Sequence, residues 1–432
     1  MGPSNSQKPL LLAVAVAGLF FPQRVHLGLD ARESTPGFKR QVVFLNAETR
    51  SLKRASIVME RVVGLTVSTN TIERICLDVG NDLESVAAEN WTEVLTGEMV
   101  VPEVAIVSYD GGRIRTRRTD CGPGVHLRGK GWNETKNAIF VSATSTTSET
   151  DPEPEPPACF FDPAHVAKLT EKAKTKENTG ADDSLPEDEE LGPPSKAKQS
   201  WPKHKPKRIL RTIQSSMKNA KQFGTQMARE AHRRGFVEAS RKAFVGDGLT
   251  CNWSIHQAHF HDYTAILDFV HAVTYLFKAS VICCGKCDAA WSTYTGWMTT
   301  TWQGRVDEVI AHLKDHQQRI GWPLKDASED DPREQLRKVI QYLENNCERM
   351  HYDEYRCQGL PTTSAWMESA VKEMNYRIKG TEMFWNNPEG AEAILQIRAA
   401  ALSDDNRLAQ FLTGRPGSAT LRGSNAPAQQ AA

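Results

Sequence analysis

The sequence lacks most of the features that assign a function by composition. Its 53 lysines and arginines are matched by 53 aspartates and glutamates, so the formal net charge is zero and no polyanionic partner follows from the sum. No internal repeat is present, which argues against solenoids and propellers. The apolar run from Pro9 to Phe21, behind Lys8, has the length of a signal-peptide core and is too short to span a bilayer; nothing downstream reads as exported. The nine cysteines, an odd and scattered set, form no disulfide framework and point to reduced thiols in a cytoplasmic setting. Cys284-Gly285-Lys286-Cys287 has a zinc-like spacing, but the second Cys-x-x-Cys is missing. Cys347 and Cys357 are the candidates to complete such a set, and free or buried thiols are the expectation.

What is present is organisation. At 432 residues the chain exceeds what one hydrophobic core usually serves, so a main domain with smaller modules is expected. Residues 48–95 read as helices, with Leu52, Ile57, Val58, Val62, Leu65, Ile72, Ile75 and Val79 near helical spacing. They break at Gly64, and Asn70 with Glu73 has capping-box spacing. This is helix-turn-helix grammar, with Asn70, Thr71 and Arg74 facing outward toward a DNA groove. An ordinary helical hairpin has the same pattern.

From Val100 to Asp110, VVPEVAIVSYD predicts a strand ending in Asp-Gly-Gly, with Arg113 to Arg118 as its hairpin partner and Asn137 to Thr144 as a third strand. Residues 145–200 are acidic and proline-rich, and are expected to form a disordered insertion. Residues 203–242 hold about a dozen lysines and arginines and are expected to form one long basic helix, with Arg208 and Arg211 facing phosphate. AFVGDG, ending near Asp247, and Ala265 to Phe269, containing Asp268, read as short buried strands, after which helices dominate. Residues 1–47 and 421–432 are expected to be a divergent apolar start and a disordered tail. Trp291, Tyr294, Trp297 and Trp302 suit helix packing better than base stacking, and His256, His259 and His261 are expected in a surface turn.

Two acids stand out for their context. Asp110 and Asp247 each precede a glycine at a strand end, where the chain can turn and project a carboxylate from the sheet edge. Carboxylates on separate elements suit Mg²⁺, a hard cation that keeps part of its water. A pair of such ions about 4 Å apart neutralises the entering and leaving oxygens of a phosphodiester. A third acid from a later helix is expected; Glu368 fits, with Lys372 on its face, while Glu344, Glu348 and Glu373 remain competitors by spacing.

Long words in the second half carry a resemblance: FVGDG, ILDFVHAVTYL, WQGRVDEVI, YLENNCERM and YDEYRCQGLPTTSAWMESAVKEMNYRIKG. They resemble the bacterial insertion-sequence transposases of the ISKra group, and GPGVHLRGKGWNETK extends the likeness upstream. The first 45 residues do not resemble that family's opening. The resemblance implies a ribonuclease-H-like α/β core over residues 96–420, a mixed five-stranded sheet with helices, following the helix-turn-helix region. It implies an Asp/Asp/Glu triad of Asp110, Asp247 and Glu368, binding two Mg²⁺ or Mn²⁺ ions and acting on double-stranded DNA as a homodimer or larger assembly. Asp268 and His271 look like a supporting pair that orients the site or the DNA; Lys372 and Arg377 are further supporting candidates. A decayed, DNA-binding relative without catalysis is the rival expectation.

Overall fold

The computed structural model describes residues 34–88, 100–116, 132–179, 202–324, 326–379 and 385–415. In chain order its elements are α1 (Pro36–Glu48), α2 (Leu52–Val58), α3 (Thr69–Ala88), β1 (Val104–Arg115), β2 (Trp132–Thr144), α4 (Pro163–Thr179), β3 (Lys207–Ser216), α5 (Ala220–Arg233), β4 (Arg241–Gly246), α6 (Thr250–His259) and β5 (Thr264–Leu267). The helical remainder is α7 (Phe269–Cys284), α8 (Asp288–Trp302), α9 (Val306–Ile320), α10 (Pro332–Asn346), α11 (Tyr352–Cys357), α12 (Ala365–Ile378), α13 (Pro388–Ala401) and α14 (Arg407–Gly414). Contacts divide the chain into two units, Met1–Ile75 with Asn406–Ala432, and Cys76–Asp405.

In the first unit, α2 runs into a π-turn, Met59–Val63, that ends on Gly64 at φ 73°. The cap of α3 is Ser68, whose Oγ accepts from the Thr71 amide at 3.2 Å, so the expected Asn70/Glu73 box is displaced by two residues. Val43, Ala55, Met59, Ile72 and Ile75 form the buried side, while Val62 and Leu65 are exposed, against their place in the apolar pattern. A helical pair joined by a short turn is present. The apolar run Pro9 to Phe21 lies outside the described residues, as does the tail from 416.

The second unit is built on one mixed sheet of order β3-β2-β1-β4-β5. β1, β2 and β3 are antiparallel neighbours, whereas β4 and β5 run parallel to β1. This is α/β architecture consistent with the ribonuclease-H-like expectation, and the first and fourth strands do lie side by side. Each face is covered by helices, so the central strands are buried on both sides and read as nearly continuous apolar runs. One face carries Val104, Ile106, Ile139, Val141, Ala243 and Val245 against α7 and α12 residues such as Ala272, Met367 and Ala370. The other carries Ala105, Val107, Phe140 and Phe244 against Phe223 and Met227 of α5.

Three expectations are overturned. Asp110-Gly111-Gly112 is no hairpin turn: β1 continues to Arg115, pairing Gly111 with Lys136 and Gly112 with Thr135. Gly112 serves close strand contact, since a Cβ there would stand 2.8 Å from Thr135 Oγ1.

Residues 203–242 are not one helix. Ile209, Thr212 and Ile213 are β-branched and enter the sheet as β3, and Asn219 then caps the much shorter α5 by accepting from Gln222 N at 2.9 Å.

Residues 145–179 are ordered despite their composition. Asp151 accepts from Arg356 Nε at 2.8 Å, Glu153 pairs with Lys205 at 2.8 Å, and Phe160 stands edge-on to Phe269 at 5.2 Å. Partners remote in sequence supply the order that the local text cannot. GADDSLPEDEELGPP lies outside the described residues.

Candidate active site

Strand alternation sets the site. Side chains of Val104, Ile106 and Ser108 share a face with Ala243 and Val245, and the parallel ladder ends at Ser108 opposite Val245. The next positions on that face are Asp110 and Asp247, so both acids stand just past the last rung, on the side where α12 packs. Glu368 occupies the first turn of α12, where a negative charge is favoured by the helix dipole. Asp110, Asp247 and Glu368, together with Asp268, His271 and Lys372, line one cavity of about 140 Å³.

Each acid is held differently. Asp247 Oδ1 accepts from Asn252 Nδ2 at 2.7 Å and from the Leu249 amide at 3.2 Å, while its backbone carbonyl accepts from the Tyr342 hydroxyl at 3.0 Å. Gly248 turns the chain at φ 90°, and a Cβ there would come within 2.7 Å of Tyr342 Oη, so the Asp-Gly signal is met by a steric need at this position. Glu368 is half-exposed and pairs with Lys372 Nζ at 3.5 Å.

Asp268 is not in the same class. It ends β5, caps α7 and is 2% exposed. Its Oδ2 accepts from His271 Nδ1 at 2.7 Å and from Ser364 Oγ at 3.0 Å, and its Oδ1 accepts from the Ser364 amide at 3.0 Å. Ser364 is the residue before α12, so one buried carboxylate ties the helix that carries Glu368 to the strand edge and fixes the His271 ring. Burial works against its charge, but hydrogen bonds from His271 and Ser364, with the imidazole's charge, hold its pKa below the usual carboxylate range.

Other predicted residues fall elsewhere. Arg377 is fully buried, with its guanidinium 5.4 Å over the Trp385 ring, and burial pulls its pKa down to about 10. It is a core residue, out of reach of DNA. Arg211 is 5% exposed and makes two 3.1 Å bonds to Glu373, clamping α12 on β3; this occupies both a presumed phosphate contact and a competitor for the third acid. Arg208 lies 3.8 Å from Asp404 and is partly exposed. Arg74 is partly buried in the first unit, beside exposed Asn70. Glu344 is engaged by Lys314 at 2.6 Å, and neither it nor Glu348 lines the cavity.

Trp302 and Tyr294 are buried in the core, as the packing expectation had it. His256 is in a helix rather than a surface turn; it stands edge-on to Phe244 at 5.4 Å, and burial lowers its pKa. Cys284 Sγ lies 3.5 Å from Thr293 Oγ1, and Cys287 donates to the Cys284 carbonyl.

Sequence reasoning missed Asn252, Tyr342 and Ser364. Asn252, five residues after Asp247 at the start of a helix, had a local signal. Tyr342 had none.

Among the described residues no group of three or more His, Cys, Asp or Glu is close enough to hold a metal ion in common. No helix among them is long and apolar enough to cross a membrane.

No known protein family matches the sequence, and no curated protein does. Among solved structures the chain is similar to the Drosophila P element transposase strand transfer complex, at 10% sequence identity and a TM-score of 0.32, over 88% of this chain and 94% of that one. That likeness is too weak to carry the function, which must stand on the cavity itself.

Proposed function

We propose that this protein is a DNA transposase of the Asp/Asp/Glu type, cutting transposon ends and joining them to a target. The observation that carries it is the convergence of Asp110, Asp247 and Glu368, 258 residues apart at the extremes (368 − 110), on one cavity at the edge of a mixed sheet.

All-oxygen donors suit a hard divalent cation, and the lack of a tight trio means that each ion would take one or two of these carboxylates, with water and DNA phosphate completing its shell. Two Mg²⁺ or Mn²⁺ ions, when bound, supply charge neutralisation at the entering and leaving oxygens. The chain's own part is to aim these carboxylates: Asn252 and Tyr342 fix Asp247, and Asp268 fixes the start of the Glu368 helix. His271, with Nδ1 committed to Asp268, presents a ring of set orientation to the cavity and orients the DNA there. Lys372 offers a cation to a phosphate. The nucleophile is first water and then the freed 3′-hydroxyl. The terminal inverted repeats are bound through the helical pair around Ser68, as a homodimer or larger assembly.

The test is end cleavage with Asp110→Ala, Asp247→Ala and Glu368→Ala, each of which abolishes Mg²⁺-dependent nicking; undiminished cutting removes that residue from the triad. The second reading, a repurposed DNA-binding protein without catalysis, draws on the same lack of a tight metal-holding trio. It predicts gel-shift binding to the repeats with no nicking in Mg²⁺ or Mn²⁺.

A further inference from the structure

The imidazole of His271 stands between a buried carboxylate and the acidic cavity. Its Nδ1 lies 2.7 Å from Asp268 Oδ2, and its side chain, 31% exposed, lines the cavity with Asp110, Asp247 and Glu368. The same carboxylate accepts from the Ser364 hydroxyl and amide at 3.0 Å and from the Val270 amide at 3.3 Å. Hydrogen bonds from His271 and Ser364 hold its pKa below the usual carboxylate range, so at neutral pH Asp268 is ionised and can only accept.

That fixes the tautomer. The hydrogen in the 2.7 Å contact belongs to Nδ1, and the neutral ring therefore carries its lone pair on Nε2. Because Nδ1 is turned to the buried acid, the ring edge that bears Nε2 is the one the cavity meets. The charge of Asp268 also stabilises the imidazolium that forms when Nε2 takes up a proton.

The other titratable groups on the described lining are poorly suited to take a proton. Asp110, Asp247 and Glu368 are the acids assigned to cations, Lys372 and Lys379 bring ammonium groups without a lone pair, and burial pushes the Tyr109 phenol far above its ordinary range. From α4 the cavity meets Leu169 and Ala173, which do not titrate.

We propose that His271 is the general base of the reaction, an assignment that rests on the function proposed above. In end cleavage Nε2 accepts a proton from the attacking water as the water oxygen bonds to phosphorus. The P–O3′ bond breaks, and the leaving 3′-oxygen is protonated from solvent. In joining, Nε2 accepts the proton of that 3′-hydroxyl as it attacks the target phosphodiester, and the 3′-oxygen of the target leaves in the same way. The imidazolium returns its proton to solvent after each step.

The experiment measures single-turnover nicking of a terminal-repeat duplex in Mg²⁺ from pH 5 to pH 9, by the native chain and by His271→Gln. The glutamine amide can still donate to Asp268 and hydrogen-bond DNA, but it does not titrate. The native rate is expected to rise with pH, with unit slope, through the imidazole range between about pH 5 and 8, because the base must first lose its proton. His271→Gln is expected to nick about a hundredfold more slowly at pH 8, to lack that limb, and to bind the duplex in EDTA as the native chain does. In His271→Ala, imidazole added to the buffer is expected to restore part of the lost rate. A native rate without the limb overturns the proposal and needs no variant to fold. So does a His271→Gln chain that keeps the limb or the native rate, and so does one whose nicking falls only in step with its DNA affinity. A native chain that binds the duplex but nicks at no pH sinks the transposase reading and this proposal with it, whereas the other results leave that reading standing.

Discussion

Asp268 and Glu368 line the same cavity and are built in opposite ways. Asp268 is 2% exposed and accepts hydrogen bonds from an imidazole, a hydroxyl and backbone amides, whereas Glu368 is half-exposed with a 3.5 Å partner on its own helix. A carboxylate whose lone pairs are all committed is a fastener. Glu368, half-exposed in the first turn of its helix, is the acid that the proposed function assigns to a cation, and the contrast separates it from the acid that positions.

The largest expected effect tests the acting side. Removing the Asp247 carboxylate is expected to lower end cleavage on the order of a thousandfold, the scale on which loss of one stabiliser of transition-state charge acts, with about 1–2 kcal/mol of lost stability because the buried Asn252 amide loses its acceptor. An equal loss in Asp268→Ala without destabilisation would erase the distinction. Asp268→Ala is instead expected to cost roughly 2–3 kcal/mol in urea unfolding, because His271 and Ser364 lose a buried charged acceptor.

The pH dependence sharpens the same point. With its folded pKa depressed, Asp268 contributes stability that is fully present above the carboxyl's unfolded value, about 3.9, and is lost as pH falls through the lower folded value. Stability measured from pH 5 down to pH 2 should therefore fall less steeply in Asp268→Ala than in the native protein.

Smaller effects follow from single contacts. Tyr342→Phe removes one hydrogen bond to the Asp247 carbonyl and should cost about 1 kcal/mol, with a loss of cleavage far milder than that of Asp247→Ala. Lys372→Ala should change stability by less than about 1 kcal/mol, since its ion pair with Glu368 is solvent-exposed; any effect should appear in DNA affinity at low salt.

Much of the site was legible in the sequence because its signals are local. An acid flanked by glycine after an apolar strand, at Asp247, can be read from a few residues, whereas spacing leaves Glu368 level with Glu344, Glu348 and Glu373 and only the resemblance points to it. Asp110 was found through a turn signal that proved false: Gly111 and Gly112 continue the strand, and the position matters because the β4 pairing ends two residues earlier. The arginines misled for the reverse reason. Arg211 looks like a phosphate contact in a basic text and Arg377 like a supporting residue of the site, but a charge's destination depends on what packs over it, and here that is Glu373 and Trp385.

The sequence by itself determined the apolar strands and the helical second half, because periodicity and turn chemistry act over a few residues. Only the tertiary structure decided that residues 145–161 would be ordered, that β3 would replace a basic helix, and that the carboxylates would share a cavity. Those outcomes depend on pairings across hundreds of residues, such as Asp151 with Arg356 and Ser364 with Asp268, whose partners no local pattern can name.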